Sequence, residues 1–398
     1  MDIDTFHIAA LPRLIFNDGG LDQLPELISL YGKRVLLITG RSSFCENAKW
    51  SDLSAQLNSA AIDWHHFQVG GEPSPQLVDE VVKQFYKDNI EVVVGIGGGS
   101  VIDAAKAIAG LLPYGNSVLD HLEGVGKGLK YNGPALAMIA VPTTAGTGSE
   151  ATKNAVLSVS GVNGYKKSFR HDSLVPNIAL LDPSLLASCP SNLIAAQGMD
   201  AFTQLLESFV STRANPFCDA LALSGIKAFK EGFWIAWEGG DSCSANSARA
   251  SMLYSAYLSG VTLAQVGLGS VHGLASPLGA FFPIPHGVVC GTLVAKATEL
   301  NIRLLRERDA DNQVLEKYAK VGRILSDSPT LDTDDACDQL VSLLESWTER
   351  LQLARLSEYG VKEGDIERIV ANSRGNSMLT NPLVLTDEEI AELLRARL

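Results

Sequence analysis

The chain has 398 residues, of which 46% are hydrophobic and 19% charged, a composition typical of a globular protein with a sizeable core. Its formal net charge is −13, which argues against binding to nucleic acid or an anionic membrane. The six cysteines form no C-x-x-C pair and favour a reducing compartment. The acidic N-terminus is unlike a signal peptide, and no apolar run reaches the roughly 18 residues of a membrane span. We therefore expect a soluble, cytoplasmic protein, and the length suggests two domains.

The first half of the chain alternates strand and helix patterns. Short β-rich or apolar runs predict buried strands at 34–39, 91–96, 135–141 and 178–181. Helical spacing of apolar residues is found between them, at 77–86 and 101–112. Strands that alternate with helices predict a parallel sheet that is covered by helices on both faces.

After residue 183 the patterns become helical. We predict helices at 191–212, 215–230, 245–263 and 287–306, and a last helix capped by Thr386. The small, polar stretch 241–246 is interpreted as an exposed loop. These patterns predict an α/β domain at 1–183 and an all-α domain at 184–398.

Two loops have the composition of a nucleotide site. Glycines and a serine at 97–100 follow a predicted strand and precede a helix, whose free N–H groups favour a phosphate. The loop at 142–150, PTTAGTGSE, follows another strand and offers hydroxyls and bare amides to ribose and phosphate oxygens. The carboxyl ends of parallel strands are where α/β sheets bind nucleotides, although ordinary tight turns have similar sequences.

Two histidines and one aspartate form a candidate metal set. His272 and His286 each precede a glycine in VHGLASPLGAFFPIPHG, and Asp200 begins a helical pattern in GMDAFTQLLE. One carboxylate and two imidazoles are typical ligands of a catalytic first-row metal with open positions. Each residue alone also has a structural explanation, as a satisfied core histidine or as a carboxylate at a helix start.

Four motifs, in this order, resemble the iron-containing (group III) alcohol dehydrogenase family. They are GIGGGSVIDAAK from Gly95, PTTAGTGSE from Pro142, GMDAFTQ from Gly198 and HGLASPLGAFFPIPHG from His272. The resemblance spans nearly the whole chain. It implies a dehydroquinate synthase-like architecture, in which a dinucleotide-binding α/β domain and a helical domain enclose a metal-polarised alcohol or aldehyde centre. It also implies a homodimer or a larger homo-oligomer.

The resemblance extends to particular cofactor residues. It implies that the glycine loop holds the pyrophosphate and that the threonines line the adenosine and ribose side. Lys166 matches a family lysine near the cofactor ribose, with the adjacent Lys167 as the alternative. The implied cofactor set is Gly40, Arg41, Ser42, Gly97, Gly98, Gly99, Ser100, Asp103, Thr143, Thr144, Thr147 and Lys166.

The end of the first predicted strand bears on the choice of cofactor. Many NAD-using relatives have an aspartate at the position of Gly40, which accepts from the ribose 2′-OH and repels a 2′-phosphate. Here that carboxylate is absent, and Arg41 and Ser42 can donate to a phosphate. The sequence therefore favours NADP over NAD.

The chain departs from the family at two histidine positions. The resemblance implies metal ligation by Asp200, Gln204, His272 and His286, but the family normally has a histidine where Gln204 stands. Asp200, His272 and His286 would suffice as a three-ligand site, and the Gln204 amide could coordinate weakly or hold a metal-bound water. Ser276 replaces a family histidine associated with proton transfer, so we assign it, with His272 and His286, to the catalytic set. Iron and zinc suit the same ligands.

We therefore expect an NAD(P)-dependent alcohol dehydrogenase or aldehyde reductase that transfers a hydride at a metal-polarised oxygen. Three alternatives remain at this point. They are a metal-free reductase of the maleylacetate type, a lyase of the dehydroquinate synthase type, and a nucleotide-binding relative that has lost its chemistry.

Overall fold

The computed structural model describes residues 5–41, 43–240 and 242–398. The strands in these ranges are β1 (Arg13–Phe16), β2 (Arg34–Gly40), β3 (Asp63–Val69), β4 (Val92–Gly97), β5 (Ala137–Pro142), β6 (Asn154–Val159), β7 (Tyr165–Arg170) and β8 (Ile178–Leu181). The helices are α1 (Leu24–Ser29), α2 (Ala48–Ser59), α3 (Pro75–Phe85), α4 (Gly99–Leu111), α5 (Ser191–Val210), α6 (Pro216–Glu238), α7 (Cys243–Val266), α8 (Ser270–Phe281), α9 (His286–Arg308), α10 (Gln313–Ser326), α11 (Thr333–Arg350), α12 (Ile366–Ala371) and α13 (Asp387–Arg395).

Six strands form one parallel sheet in the order β1-β8-β5-β4-β2-β3. Strand β4 shows why its sequence is apolar throughout. Val92 and Val94 pack in the cluster that includes α1 and α2, whereas Val93 packs in the opposite cluster, with α3 and α4. Because successive side chains of a strand point to opposite faces, a strand covered on both sides must be continuously hydrophobic. The predicted parallel sheet is confirmed.

Helices α5 to α13 surround a separate hydrophobic cluster. Helix α5 lies at its centre, and nearly every residue from Ala195 to Val210 is buried. Phe202 and Phe229 pack there against Trp347 of α11, with ring centroids 5.4 and 5.6 Å away. The predicted helical second half is confirmed, whereas the division into domains at residue 183 stays a prediction. None of the described helices is both long and apolar enough to cross a membrane.

Three local features differ from the sequence-based expectation. Strands β6 and β7 form an antiparallel hairpin that no pattern predicted. Helix α8 contains Pro277 and lies in a segment for which the sequence analysis predicted no helix, because burial of its apolar face outweighs the proline. The predicted loop at 241–246 is wrong from Cys243 onward: α7 begins there, and Ser242 caps it by accepting from the Ala245 N–H.

A buried lysine fastens the loop after β5 to helix α4. Lys106 is fully buried, and its ammonium donates to the backbone oxygens of Ser149 and Asn154 and to the Thr152 hydroxyl. It also forms an ion pair of 3.1 Å with Asp103. A buried ammonium needs such partners, so Lys106 holds the threonine-rich loop in place rather than facing a ligand.

Glu150, in the same loop, generates a prediction about pH. Burial raises the pKa of Glu150 to about 7, against the partial opposition of nearby Lys106. Between about pH 5 and pH 7 the folded chain keeps this proton while the unfolded chain loses it, so stability falls as the pH rises. Glu150→Gln removes the titration. At about pH 8 the variant should therefore be more stable than wild type by about 2–3 kcal/mol, and at about pH 5 the difference should nearly vanish.

Urea unfolding of wild type and Glu150→Gln at both pH values measures this difference. Glu231→Gln, at an exposed position on α6, is the matched control, and its stability relative to wild type should be the same at both pH values. An equal stability difference between wild type and Glu150→Gln at both pH values would contradict the prediction.

Candidate metal centre and nucleotide cleft

Asp200, His272 and His286 meet where three helices converge. Asp200 lies in the middle of α5, His272 in the first turn of α8, and His286 is the first residue of α9. The Nε2 atoms of His272 and His286 lie 3.2 and 3.7 Å from Asp200 Oδ1. The structure thus brings together the three residues that the sequence pattern singled out.

Glycines next to the histidines permit this convergence. A Cβ at Gly287 would lie 2.3 Å from the backbone oxygen of Ala196, and one at Gly291 would lie 3.0 Å from Met199 Cβ. Only glycine lets α9 approach α5 so closely. Gly287 therefore permits the close packing of α9 on α5, and this packing places the His286 imidazole near Asp200.

The electrostatics of the cluster suit a cation. Burial alone would raise the pKa of Asp200, but His286 and His272 lower it to about 2, so the group is a carboxylate. Burial and the charge of Lys166 lower the pKa of His286 to about 4, which leaves that imidazole neutral. Among the described residues, no hydrogen-bond donor reaches the buried Asp200 Oδ2. A carboxylate with an unpartnered oxygen beside imidazole nitrogens fits a divalent metal.

Glu207 orients His272, and the sequence analysis missed it. Its Oε2 lies 2.6 Å from His272 Nδ1, and its Oε1 accepts from the Val271 N–H at 2.7 Å. Burial opposes protonation of His272, but Cys290, Asp200 and Glu207 raise its pKa well above the usual value, so without a metal Nε2 also carries a proton and donates to Asp200. The bond from Nδ1–H to Glu207 would leave Nε2 as the metal-binding nitrogen once a metal displaces that proton. Glu207 lies seven residues after Asp200, so the two-turn spacing on one helix face was a usable signal.

Cys290 is a second residue that the sequence analysis missed. It is fully buried on α9, and its Sγ lies 3.5 Å from His272 Nε2 and 3.9 Å from His286 Nε2. The ligand atoms of Asp200, His272, His286 and Cys290 all lie within 4.8 Å of one another. Its spacing of four residues from His286 placed it on the same helix face, but a scattered cysteine gave no other signal.

Gln204 is held between two neighbours. Its Nε2 donates to Asp200 Oδ1 at 3.1 Å, and its Oε1 accepts from Ser259 Oγ at 2.7 Å. The amide oxygen, which would be its metal-binding atom, is therefore engaged by α7, and the amide nitrogen faces the carboxylate.

One cleft joins the cluster to the glycine loop. It has a volume of about 470 Å³ and is lined by Gly99, Ser100 and Thr147 as well as by His272 and His286. Helix α4 begins in this cleft with no side-chain cap, so its first N–H groups are available to an anion.

The two nucleotide-type loops pack directly against each other. The Thr143 N–H donates to the Gly97 carbonyl at 3.0 Å. A Cβ at Gly99 would lie 2.5 Å from Thr147 Oγ1, and one at Gly98 would lie 3.3 Å from Thr144 Oγ1. The glycines therefore admit the threonine loop, besides leaving the helix start open.

Asp103, Lys166 and Ser276 line the same cleft. Asp103 accepts from Ser149 Oγ and pairs with Lys106, so it is tied into the loop. Lys166, on β7, pairs with Glu72 at 3.0 Å, and its carbonyl accepts from Ser276 Oγ at 3.3 Å. Lys167, the alternative to Lys166, also lines the cleft.

Gly40 and Arg41 lie at the end of the first long strand of the sheet and just after it. Gly40 is the last residue of β2, and a Cβ there would meet only Val101 Cγ2, at 4.0 Å. The Arg41 guanidinium lies over Gly70, just after β3, where a Cβ would be 2.1 Å from Nε. Ser42, also predicted to bind the cofactor, lies outside the described residues.

Comparisons with known proteins agree with this geometry. The family model for the iron-containing alcohol dehydrogenase matches residues 12–183, and that for the C-terminal part of the Fe-containing alcohol dehydrogenase family matches residues 194–398. Alcohol dehydrogenase 4 of Saccharomyces cerevisiae is 33% identical over 96% of both chains. NAD-dependent methanol dehydrogenase of Bacillus methanolicus is 28% identical over 96% of this chain and 97% of its own.

A solved structure of an archaeal halo-thermophilic alcohol dehydrogenase from a Red Sea brine pool superposes with a TM-score of 0.90. It is 27% identical and covers 100% of both chains. The chain therefore belongs to the iron-containing alcohol dehydrogenase family, as its motifs predicted. It is an NAD(P)-dependent alcohol dehydrogenase whose substrates are small-molecule alcohols or aldehydes, and family membership implies a divalent metal. The metal-free reductase, the lyase and the inactive relative are not favoured.

Replacement of Glu207 tests its link to His272. Glu207→Gln removes the charge that holds the Nδ1–H of His272, so we expect metal affinity to fall about 10–100-fold. Competition with a chromophoric chelator measures the affinity. Glu231→Gln, exposed on α6, is the control and should bind metal like wild type. Wild-type affinity in Glu207→Gln would rule out the orienting role.

Proposed function

We propose that the α/β part, 1–183, binds NADP(H) and that the helical part, 184–398, binds a divalent metal through Asp200, His272 and His286. The single observation that supports this most strongly is the shared cleft. The uncapped start of α4 and the two histidines of the Asp–His–His cluster face the same 470 Å³ space. Alcohol oxidation requires a nicotinamide that accepts the hydride at one wall and a polarised alcohol oxygen at the other.

Each wall has a defined task. The N–H groups of Gly99 and Ser100 would hold the cofactor pyrophosphate, and Thr147 and Lys166, which line the same cleft, would donate to ribose oxygens. A divalent metal, when bound, supplies Lewis-acid polarisation of the alcohol oxygen. Asp200 contributes the negative charge that retains the metal, and Glu207 keeps His272 in the tautomer that can bind it.

Proton movement relies on water in the cleft. Ser276 Oγ donates to the Lys166 carbonyl, and a serine hydroxyl is not a base near neutral pH. We therefore assign Ser276 a supporting role, in which it helps to order the water that carries the alcohol proton away. The proposed homo-oligomer rests on the family and on the exposed Leu14 and Phe16 of edge strand β1. The cytoplasmic location rests on composition and on six free thiols.

Metal-ligand variants test the proposed centre. Asp200→Asn and His286→Ala should each lose bound metal, and NADPH-dependent aldehyde reduction should fall by about 100-fold or more, because charge stabilisation of several kcal/mol is removed. Ser276→Ala should slow turnover by less than about tenfold. Elemental analysis and steady-state rates are the measurements. Full activity in metal-free Asp200→Asn would instead support a metal-free reductase.

The cofactor preference depends on Gly40. We expect a higher kcat/KM with NADPH than with NADH. Gly40→Asp should invert the preference and lower kcat/KM for NADPH by about tenfold or more, because a carboxylate there repels the 2′-phosphate. Space beyond Gly40 accommodates the side chain. Gly40→Asn, equal in size but uncharged, is the control and should keep the wild-type order. A wild-type preference for NADH would refute the proposal.

A further inference from the structure

We propose that Cys290 is a fourth ligand of the metal, through Sγ, in place of the histidine that the family carries at residue 204, and that its thiolate makes the centre selective for zinc over iron. This inference rests on the proposed metal-dependent function. It assigns to this chain a mixed set of one carboxylate, two imidazoles and one thiolate.

The distances have the size of a tetrahedral coordination shell. Asp200 Oδ1 lies 3.2 and 3.7 Å from the Nε2 atoms of His272 and His286, and Cys290 Sγ lies 3.5 and 3.9 Å from the same two atoms. Bonds of about 2.0–2.3 Å from zinc to oxygen, nitrogen and sulfur place neighbouring ligand atoms about 3.3–3.8 Å apart in a tetrahedron. These separations, with all four ligand atoms within 4.8 Å of one another, put Cys290 Sγ within reach of a metal shared with the other three residues.

The partners of Gln204 make it the weaker candidate for this vertex. Its amide oxygen accepts from Ser259 Oγ, and its amide nitrogen, which has no lone pair to offer a metal, faces Asp200. It acts instead as a donor that fixes the orientation of the Asp200 carboxylate.

Binding of a metal through Cys290 would release the thiol proton to solvent as the metal–sulfur bond forms. Without a metal, burial raises the pKa of this thiol to about 12, with the charges of Asp200 and Glu207 acting in the same direction, so Cys290 is a thiol until the metal binds.

A tetrahedral set of four protein ligands has no vacant vertex, so an alcohol oxygen would have to enter from the cleft as a fifth ligand. His272 and His286 line the cleft, whereas Asp200 and Cys290 are fully buried behind them. Thiolate is a soft ligand that zinc accepts readily, while carboxylate and imidazole alone suit either metal. A set of nitrogen, oxygen and sulfur ligands binds zinc more tightly than iron(II), so the added sulfur favours zinc.

Spectroscopy of the full chain tests the assignment. X-ray absorption of the zinc-loaded wild type should show one sulfur at about 2.3 Å beside nitrogen and oxygen ligands. Cobalt(II)-loaded wild type should show a near-ultraviolet thiolate-to-cobalt charge-transfer band. Cys290→Ser should lose this band and bind zinc more than about 100-fold more weakly, beyond the 10–100-fold typical of groups that only orient a ligand. Cys337→Ser is the matched control, because it alters a buried thiol that donates a hydrogen bond to the Leu315 carbonyl. This variant should keep the charge-transfer band and the wild-type affinity for zinc.

The possible results distinguish the role of Cys290 from the existence of the metal centre. One equivalent of zinc bound without sulfur scattering overturns the role of Cys290 and leaves the proposed metal centre standing. A charge-transfer band that persists in Cys290→Ser overturns it as well. Failure of the wild type to bind either metal overturns both the centre and the ligand. If Cys290→Ser does not fold, the wild-type zinc spectrum decides alone.

Discussion

The buried carboxylate of Asp200 is the group on which the helical half of the chain depends. It has no solvent exposure, and a charge in that position is costly unless neighbouring groups compensate it. Without a metal, compensation comes from His272 of α8, whose pKa is raised well above its usual value, and from the amide of Gln204 on α5 itself. The start of α8 is therefore fixed relative to α5 by electrostatics as well as by apolar packing.

The threonine-rich loop after β5 connects this centre to the sheet. A Cβ at Gly148 would lie 2.4 Å from Gly260 Cα, so the loop backbone rests directly on α7. Ser259, on the same turn of α7, donates to Gln204 and lies 3.4 Å from the Gly146 carbonyl. Lys106 holds the other side of the loop to α4. One short segment thus sets the distance between the nucleotide wall and the metal wall of the cleft.

Much of this arrangement could be predicted from the sequence, for identifiable reasons. Buried strands such as β4 and long helices such as α5 have strong periodic patterns, and the grouping of Asp200 with the two histidines followed from ligand chemistry and motif order. Helix α8 was missed because Pro277 is read as a breaker when tertiary packing is unknown. Glu207 and Cys290 were missed because their importance depends on which helix faces meet, and spacing alone does not state that.

The His286–Gly287 pair combines a residue proposed for metal binding with a residue required for helix packing. The close approach at Gly287 shows that the two requirements are separate. Its hydrogen faces the Ala196 carbonyl, where a Cβ would lie 2.3 Å away, so the residue is required by the fold whether or not a metal is bound. The imidazole of His286 has no comparable packing requirement. During evolutionary drift toward a non-catalytic relative, the glycine would persist after the histidine had changed. Retention of the glycine alone would then record common ancestry rather than enzymatic activity.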